Sequence, residues 1–364
     1  MKRYGNLYDT IISIDNLKLA DEKARKGKLK SYGVRRHDKE REANIMRLHE
    51  VLKNCDYHTS RYETFTIFEP KERHICRLPY FPDRIVHHAI MNVLEPIWVA
   101  SFIETTYSCI KKRGIHKCAI DVRNALDEDC ANTKYCLKID IRKFYESVDH
   151  ETLKQIVRRK IKDARLLKLI DEIIDSHNTI DGVKRGKGLP IGNYMSQYLA
   201  NLYLAYFDHY VKETLKVKYY FRYADDIVVL AASKTELHDI LDKMRDYLTG
   251  LKLRIKANYQ VFPVDARGID FVGYVFYHTH TLMRKKVKRA LCKRVAQLHH
   301  RATLPSEKYY KQQIASWWGW CKYCDSVNLL NTLKIKIPYE LHFSKRRSRS
   351  ALRPRSRRAR RAGA

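Results

Sequence analysis

The stretch YFRYADDIVVLAASK, residues 219–233, constrains this chain more than any other. Asp225 and Asp226 stand side by side between an aromatic-rich approach and a β-branched apolar run, so both flanks read as strands and the acids as the turn between them. Burying one ionised carboxylate without a partner is costly, and a second adds repulsion. Either the turn opens to solvent, as many Asp-rich turns do, or it faces a cation.

A second segment bears on that choice. LKIDIRKFY places Asp140 in a strand whose neighbours Leu137, Ile139 and Ile141 look buried, followed by a helix start. If this strand lies beside the hairpin, Asp140 and Asp225 converge on one metal site, with Asp226 a weaker or outer ligand. Two oxygen-liganded Mg²⁺ ions about 4 Å apart would then activate an attacking hydroxyl and stabilise a leaving pyrophosphate, the two-metal route of nucleotidyl transfer.

Charge points to the kind of substrate. Over 364 residues the formal net charge is +31, far beyond the roughly 2–8 units that keep a small domain soluble. The last 21 residues carry ten bases and no acid, and the remainder keeps a large positive excess, so a polyanionic partner suits the folded part too. Nine scattered cysteines and an N-terminus without an apolar core suggest a reduced, cytoplasmic protein. Cys321 and Cys324 form a lone CxxC without a second pair at zinc spacing and read as core. No apolar run approaches the ~18 residues that span a bilayer, so no membrane partner is expected.

The periodicity suggests an α+β chain. Leu7, Ile11, Ile14 and Leu17 fall at helical spacing, placing one helix in an N-terminal helical extension, 1–60. RYETFTIFEPKERHICRLPY reads as a hairpin with a basic tip, and Asp83 as the N-cap of the helix that follows. From 134 to 275 strands and helices alternate irregularly, with LKLRIKANYQVFPV among the strands, as in a small antiparallel sheet covered by helices. Residues 281–342 are helical, beginning with a strongly basic segment from Arg284 to Arg301, and 343–364 is too poor in apolar residues to pack.

Across residues 60–280 the sequence resembles the reverse transcriptase family. YADD (Tyr223 to Asp226) and LKIDIRKFY resemble its metal-binding palm motifs, PKERHICRLPYFPDRIVHHAI its fingers segment, and FVGY (271–274) its primer grip. The resemblance implies a right-hand polymerase with fingers and palm over 61–280 and a helical thumb after it. It implies Asp140, Asp225 and Asp226, with the Ile141 main chain, as metal ligands, and Tyr145 as the aromatic gate against a ribose 2′-hydroxyl. Arg73 and Arg84 match fingers positions near the incoming triphosphate or template; ordinary surface or salt-bridging arginines are the alternative. Lys256 matches a general acid for pyrophosphate release, or is a solvated lysine. Trp317, Trp318 and Trp320 read as a core stripe rather than a base-stacking platform.

GLPIGNYMSQYLAN addresses the subtype. Most reverse transcriptases carry Gln-Gly and then Ser-Pro here, whereas this chain has Ile191-Gly192 and Ser196-Gln197. That pattern, with GNLYDTI, QVFPV…RGIDFVGY and ASWWGW, resembles the enzymes of diversity-generating retroelements. An isoleucine in place of an amide removes hydrogen-bonding capacity beside the incoming dNTP, so pairing would be policed less well; filling a core gap is the plainer role. The resemblance implies an error-prone enzyme that copies a template-repeat RNA into cDNA with errors at adenines, holds the cDNA–RNA duplex, and works with a basic oligomeric accessory variability protein. No RNase H, integrase or endonuclease segment is visible, which weighs against an intron-type enzyme. A group II intron-like or defence-associated reverse transcriptase of ordinary fidelity is the alternative. A catalytically silent RNA-binding palm is the alternative from another class.

Overall fold

The computed structural model describes residues 2–68, 72–177, 186–300 and 306–335. The tip of the expected hairpin at 69–71, most of the glycine-bearing loop at 178–185 and everything expected beyond 335, the basic tail included, lie outside the described residues. Two compact units are present: Met1–Lys111 with Leu137–Val229 and Thr235–Gln260, and Lys112–Cys136 with Leu230–Lys234 and the described residues from Val261 onward.

In the first unit the N-terminal helical pattern is interrupted. Helices Tyr8–Ile12 and Ile14–Ala24 meet at Ser13, whose backbone is extended and whose hydroxyl accepts from the Asn16 N–H at 3.3 Å. A single helix was expected there; serine at this point caps a new one instead, because its side chain satisfies a donor that the break exposes. The apolar stripe survives the break: Ile11 and Leu17 are fully buried, each contributing about 2 kcal/mol. Helix Ile85–Val99 packs against Ile14–Ala24, and Asn16 stitches the two by donating to the Ala89 carbonyl at 3.1 Å.

Asp83 does not cap that helix, whose N-cap is Arg84. The carboxylate is buried and accepts from the Tyr57 hydroxyl at 2.7 Å and the Ser60 N–H at 2.9 Å. A tertiary anchor has taken the side chain that local pattern would spend on a cap.

Strands β1 (Glu63–Ile67) and β2 (Arg73–Arg77) form the expected antiparallel hairpin, with Phe65 opposite Ile75. The central sheet holds β3 (Tyr135–Asp140), β4 (Tyr219–Tyr223), β5 (Asp226–Ala231) and β6 (Gln260–Pro263) in the order β4-β5-β3-β6. Of LKLRIKANYQVFPV, expected to be extended throughout, only Gln260–Pro263 is strand. The part before it is tied to the end of β3 by two main-chain bonds, Arg142 N–H to the Arg254 carbonyl at 2.8 Å and Lys256 N–H to the Asp140 carbonyl at 2.9 Å. Helix Tyr194–His209 is almost wholly buried in this unit, with Leu199, Leu202, Tyr203 and Phe207 in its core.

The second unit contains helix Ile115–Glu128, an antiparallel sheet of β7 (Ile269–Phe271), β8 (Tyr274–Phe276) and β9 (Thr281–Met283), and helices Lys285–His299, Glu307–Cys321 and Val327–Thr332. Arg123 brackets the end of the sheet, donating to the carbonyls of Tyr277 and His278. Gly273, in the FVGY turn, has φ +88°, and a Cβ there would stand 2.3 Å from the Trp320 ring. Trp320 lies tilted on Tyr274, with ring centres 5.2 Å apart, and edge-on to His116. Trp317, Trp318 and Trp320 are therefore half-buried rather than full core. All nine cysteines are free, and Cys321 and Cys324 are buried, where burial pushes the Cys321 thiol up to about 11. No helix among the described residues is long and apolar enough to cross a membrane.

Candidate active site

Tyr223 ends β4, Asp226 begins β5, and Ala224 and Asp225 make the turn. Ala224 adopts φ +56°, a left-handed conformation that costs a residue with a Cβ about 1–2 kcal/mol. Because β3 lies beside β5, the Ile141 N–H reaches the Asp225 carbonyl at 3.2 Å, and the end of β3 is pinned to the turn.

This pinning sets acids against one another. Burial, followed by the charge of Asp140, pushes the Asp225 carboxyl above its ordinary range, while Lys256 and Arg73 act in the opposite sense. Lys256 is half-buried, and its Nζ stands 2.5 Å from Asp140 Oδ1. Lys138 Nζ stands 3.8 Å from Asp226 Oδ2. The structure thus brings Asp140, Asp225 and Lys256 into one electrostatic cluster, with Asp226 directed toward Lys138.

Tyr145 belongs to the same neighbourhood. Burial raises its hydroxyl pKa first, and the charges of Cys109 and Asp225 raise it further, with Arg73 again opposing. The Tyr145 carbonyl accepts from the Leu189 N–H at 2.7 Å, which fixes the start of the Ile191-Gly192 loop. The Ile191 carbonyl accepts from the Cys76 N–H of β2 at 2.8 Å. Gly192, at φ +120°, lies so close to β2 that a Cβ would meet the Cys76 carbonyl at 2.9 Å. Backbone contacts thereby tie Tyr145, the Ile191-Gly192 loop and β2 together, and Arg73 and Tyr145 share an electrostatic environment with Asp225.

Two expected site residues lie apart from this group. Gln197 is exposed on helix Tyr194–His209, whereas its neighbour Ser196 is buried. Arg84 is half-buried and lines a cavity of about 910 Å³ together with Lys28, Tyr32, Arg36 and Arg77. Its charge, ahead of burial, lowers the pKa of Lys28 there.

Pattern reading missed the group beneath the turn. Arg222 and Asp208 are both fully buried. Asp208 accepts from Arg222 Nε at 2.7 Å and Nη2 at 2.5 Å, from the Tyr220 hydroxyl at 2.6 Å and from the Thr106 hydroxyl at 2.9 Å. Arg222 Nη1 reaches Asn201 Oδ1 and the Ala224 carbonyl, both at 3.1 Å. The available signal was an arginine inside YYFRY, a segment otherwise reading as buried strand, since a buried guanidinium demands an acid somewhere in the chain.

Among the described residues no three His, Cys, Asp or Glu side chains form a ready-made metal cluster. The residues nevertheless suit a hard divalent cation: the donors are carboxylate and main-chain oxygens, and the half-buried Asp225 carries a like charge beside it that a cation would offset. Lys256 supplies part of that positive charge to Asp140.

Comparison with known proteins assigns the family. The sequence profile described as "Reverse transcriptase (RNA-dependent DNA polymerase)" matches residues 69–276, more than half of the chain. Protein YkfC of Escherichia coli K12 is 28% identical over 268 residues, covering 64% of this chain and 67% of that protein. The group II intron-encoded protein LtrA of Lactococcus lactis is 24% identical over 188 residues, 49% of this chain and 30% of its own length. A telomerase of Candida tropicalis, solved with a fragment of telomeric RNA, shares 11% identity at a TM-score of 0.48, covering 76% of this chain and 54% of that one. This chain spans under a third of LtrA and about half of the telomerase. With the profile running from the β1–β2 hairpin through YADD to β8 in an α+β chain, this protein belongs to the reverse transcriptase family, the RNA-directed DNA polymerases.

Proposed function

We propose that this chain is the error-prone reverse transcriptase of a diversity-generating retroelement. It copies a template-repeat RNA into cDNA, misincorporating opposite adenines, and so diversifies a target gene. The observation that carries the subtype is Ile191: an apolar side chain stands where the family usually has an amide, in a loop tied to Tyr145 and β2 beside Asp225. Such a side chain offers shape and contact but no hydrogen bond with which to reject a mispair. Selectivity for adenine does not follow from Ile191 alone.

On this reading each residue has a role. Asp140, Asp225, Asp226 and the Ile141 carbonyl hold two Mg²⁺ ions. When bound, these supply acidification of the primer 3′-hydroxyl and charge stabilisation for pyrophosphate. Lys256, paired with Asp140, is placed to give a proton to the leaving group, and Arg73 to hold the triphosphate. Tyr145 stacks against the sugar and excludes a 2′-hydroxyl. Gly192 permits the close approach of β2, and Gln197 and Arg84 contact the nucleic acid at greater distance. Fingers and palm occupy 61–280 and the thumb 281–342, with Lys285–His299 laying positive charge along the cDNA–RNA duplex. The basic tail of 343–364 adds RNA affinity, a basic oligomeric accessory protein docks on the enzyme, and the whole works in the cytoplasm.

The similarity to LtrA favours a second reading, a group II intron-like enzyme of ordinary fidelity. Primer extension on a defined RNA template with Mg²⁺ and dNTPs, with Asp225→Asn as control and sequencing of the cDNA, separates them. Aspartate-dependent cDNA with errors clustered opposite adenines supports the first reading and faithful cDNA the second. RNA binding without cDNA under any condition leaves a silent binding module.

A further inference from the structure

Arg222 is fully buried one turn away from the carboxylates, and its guanidinium is divided between two kinds of acceptor. Nε and Nη2 go to Asp208, and Nη1 goes to Asn201 Oδ1 and the carbonyl of Ala224, the left-handed residue immediately before Asp225. We propose that Arg222 is a positioning residue for the metal site, holding the Ala224 peptide so that Asp225 is presented to Asp140 and the cation. The inference rests on the reading of Asp140 and Asp225 as metal ligands.

Each part of the network restrains the turn from a different side. Asp208 is held in place by Tyr220 and Thr106, so the guanidinium cannot swing away without leaving a fully buried carboxylate charge uncompensated. Asn201 is itself fixed, donating to the Ser108 carbonyl at 2.7 Å. The Arg222 main chain is bound to the 105–107 segment through both its polar groups, its N–H to the Thr105 carbonyl at 3.0 Å and its carbonyl to the Tyr107 N–H at 3.1 Å. Alanine enters the left-handed region only when its surroundings hold it there, and the Nη1 bond to its carbonyl is such a hold. A buried ion pair serving stability alone is replaceable by apolar residues of similar volume. Here one arm of the guanidinium is spent on the catalytic turn instead of on its counterion. Lysine, a single ammonium on a flexible stem, cannot span the three acceptors in the same fork.

The test uses the full chain as wild type, Arg222→Lys and the double variant Arg222→Met/Asp208→Leu, which removes both buried charges together. Mn²⁺ binding is followed by loss of the free-ion electron paramagnetic resonance signal, alongside thermal melting, RNA binding and primer extension. The expected result is that at least one variant melts cooperatively and binds RNA within about twofold of wild type, while its Mn²⁺ dissociation constant rises about tenfold, the effect typical of an outer partner of a metal ligand. In that variant kcat falls about 100-fold, as for a misplacement of about 1 Å, with KM for dNTP little changed.

Folded variants with wild-type Mn²⁺ affinity and kcat overturn the proposal. So does a wild type that binds no Mn²⁺, and so does loss of the fold in both variants, which would make the network a support of the fold alone. A wild type that binds Mn²⁺ but makes no cDNA refutes the polymerase reading and leaves the Mn²⁺ comparison decisive for Arg222.

Discussion

Two acidic sites, both linked to the β4–β5 hairpin, are treated in opposite ways. Asp208 sits at zero exposure and receives four donors from three side chains, two of them from the Arg222 fork, so its charge is matched on the spot. Asp225 is half-buried beside Asp140, and burial together with that neighbour raises its pKa. The first arrangement is complete in the folded chain; the second is the one that the proposed cations would complete. An acid matched within the fold supports structure, and an acid left against another acid marks chemistry.

The comparison is broken most directly at its unmatched side. Asp225→Asn is expected to lower the rate of cDNA synthesis about 1000-fold, some 4 kcal/mol of transition-state stabilisation, with RNA binding and melting temperature near wild type. A variant that stays active would remove Asp225 from the chemistry. On the matched side the effect inverts. Arg222→Met alone should cost about 3–5 kcal/mol of stability by stranding Asp208, and adding Asp208→Leu should recover most of it. Chemical denaturation of the single and double variants reads both numbers, and equal stability of the two would show that Asp208 is not held by Arg222.

Gly192→Ala falls between these extremes. Its φ of +120° and the 2.9 Å approach to the Cys76 carbonyl predict a loss of about 1–3 kcal/mol and a fall in activity. Retained stability and rate would show that β2 and the loop do not need their close contact.

The smallest expected effect concerns an acid matched by backbone donors. Asp163 is raised by burial, but the N–H groups of Tyr8, Leu166 and Leu7 outweigh this and hold its pKa below the usual range. A lowered folded pKa means its stabilisation is present above the unfolded carboxylate pKa and is lost as pH falls through the folded value. Asp163→Asn should cost about 1 kcal/mol at neutral pH and flatten the acid side of the stability curve. An unchanged curve would show that Asp163, the N-cap of helix Ala164–Asp175, carries no charge-dependent share of stability.

The legible parts of this molecule were those in which one side chain answers to one local rule. The β1–β2 hairpin follows from period-two alternation; Asp140 and Asp225 were each legible as acids at strand ends, and their meeting depended on β3 lying beside β5. Ser13 and Asp83 show where local rules compete. Serine ended a helix that the apolar stripe continued through, and Asp83 went to Tyr57 and Ser60 instead of to the helix start. The Arg222–Asp208 pair, fourteen residues apart, needed three dimensions, because no periodicity announces which acid a buried guanidinium will find. The place of Arg84 beside Lys28 depended likewise on helices and hairpin meeting around one cavity.

The bond from Cys76 to the Ile191 carbonyl joins hairpin and loop through main-chain atoms alone. Whatever side chain occupies position 191, that link is unaffected, so mutational drift there need not loosen the scaffold that presents it. If Ile191 sets copying accuracy as proposed, accuracy and architectural integrity are separable traits at this position, and a lineage could retune the one by single codon changes without first repairing the other.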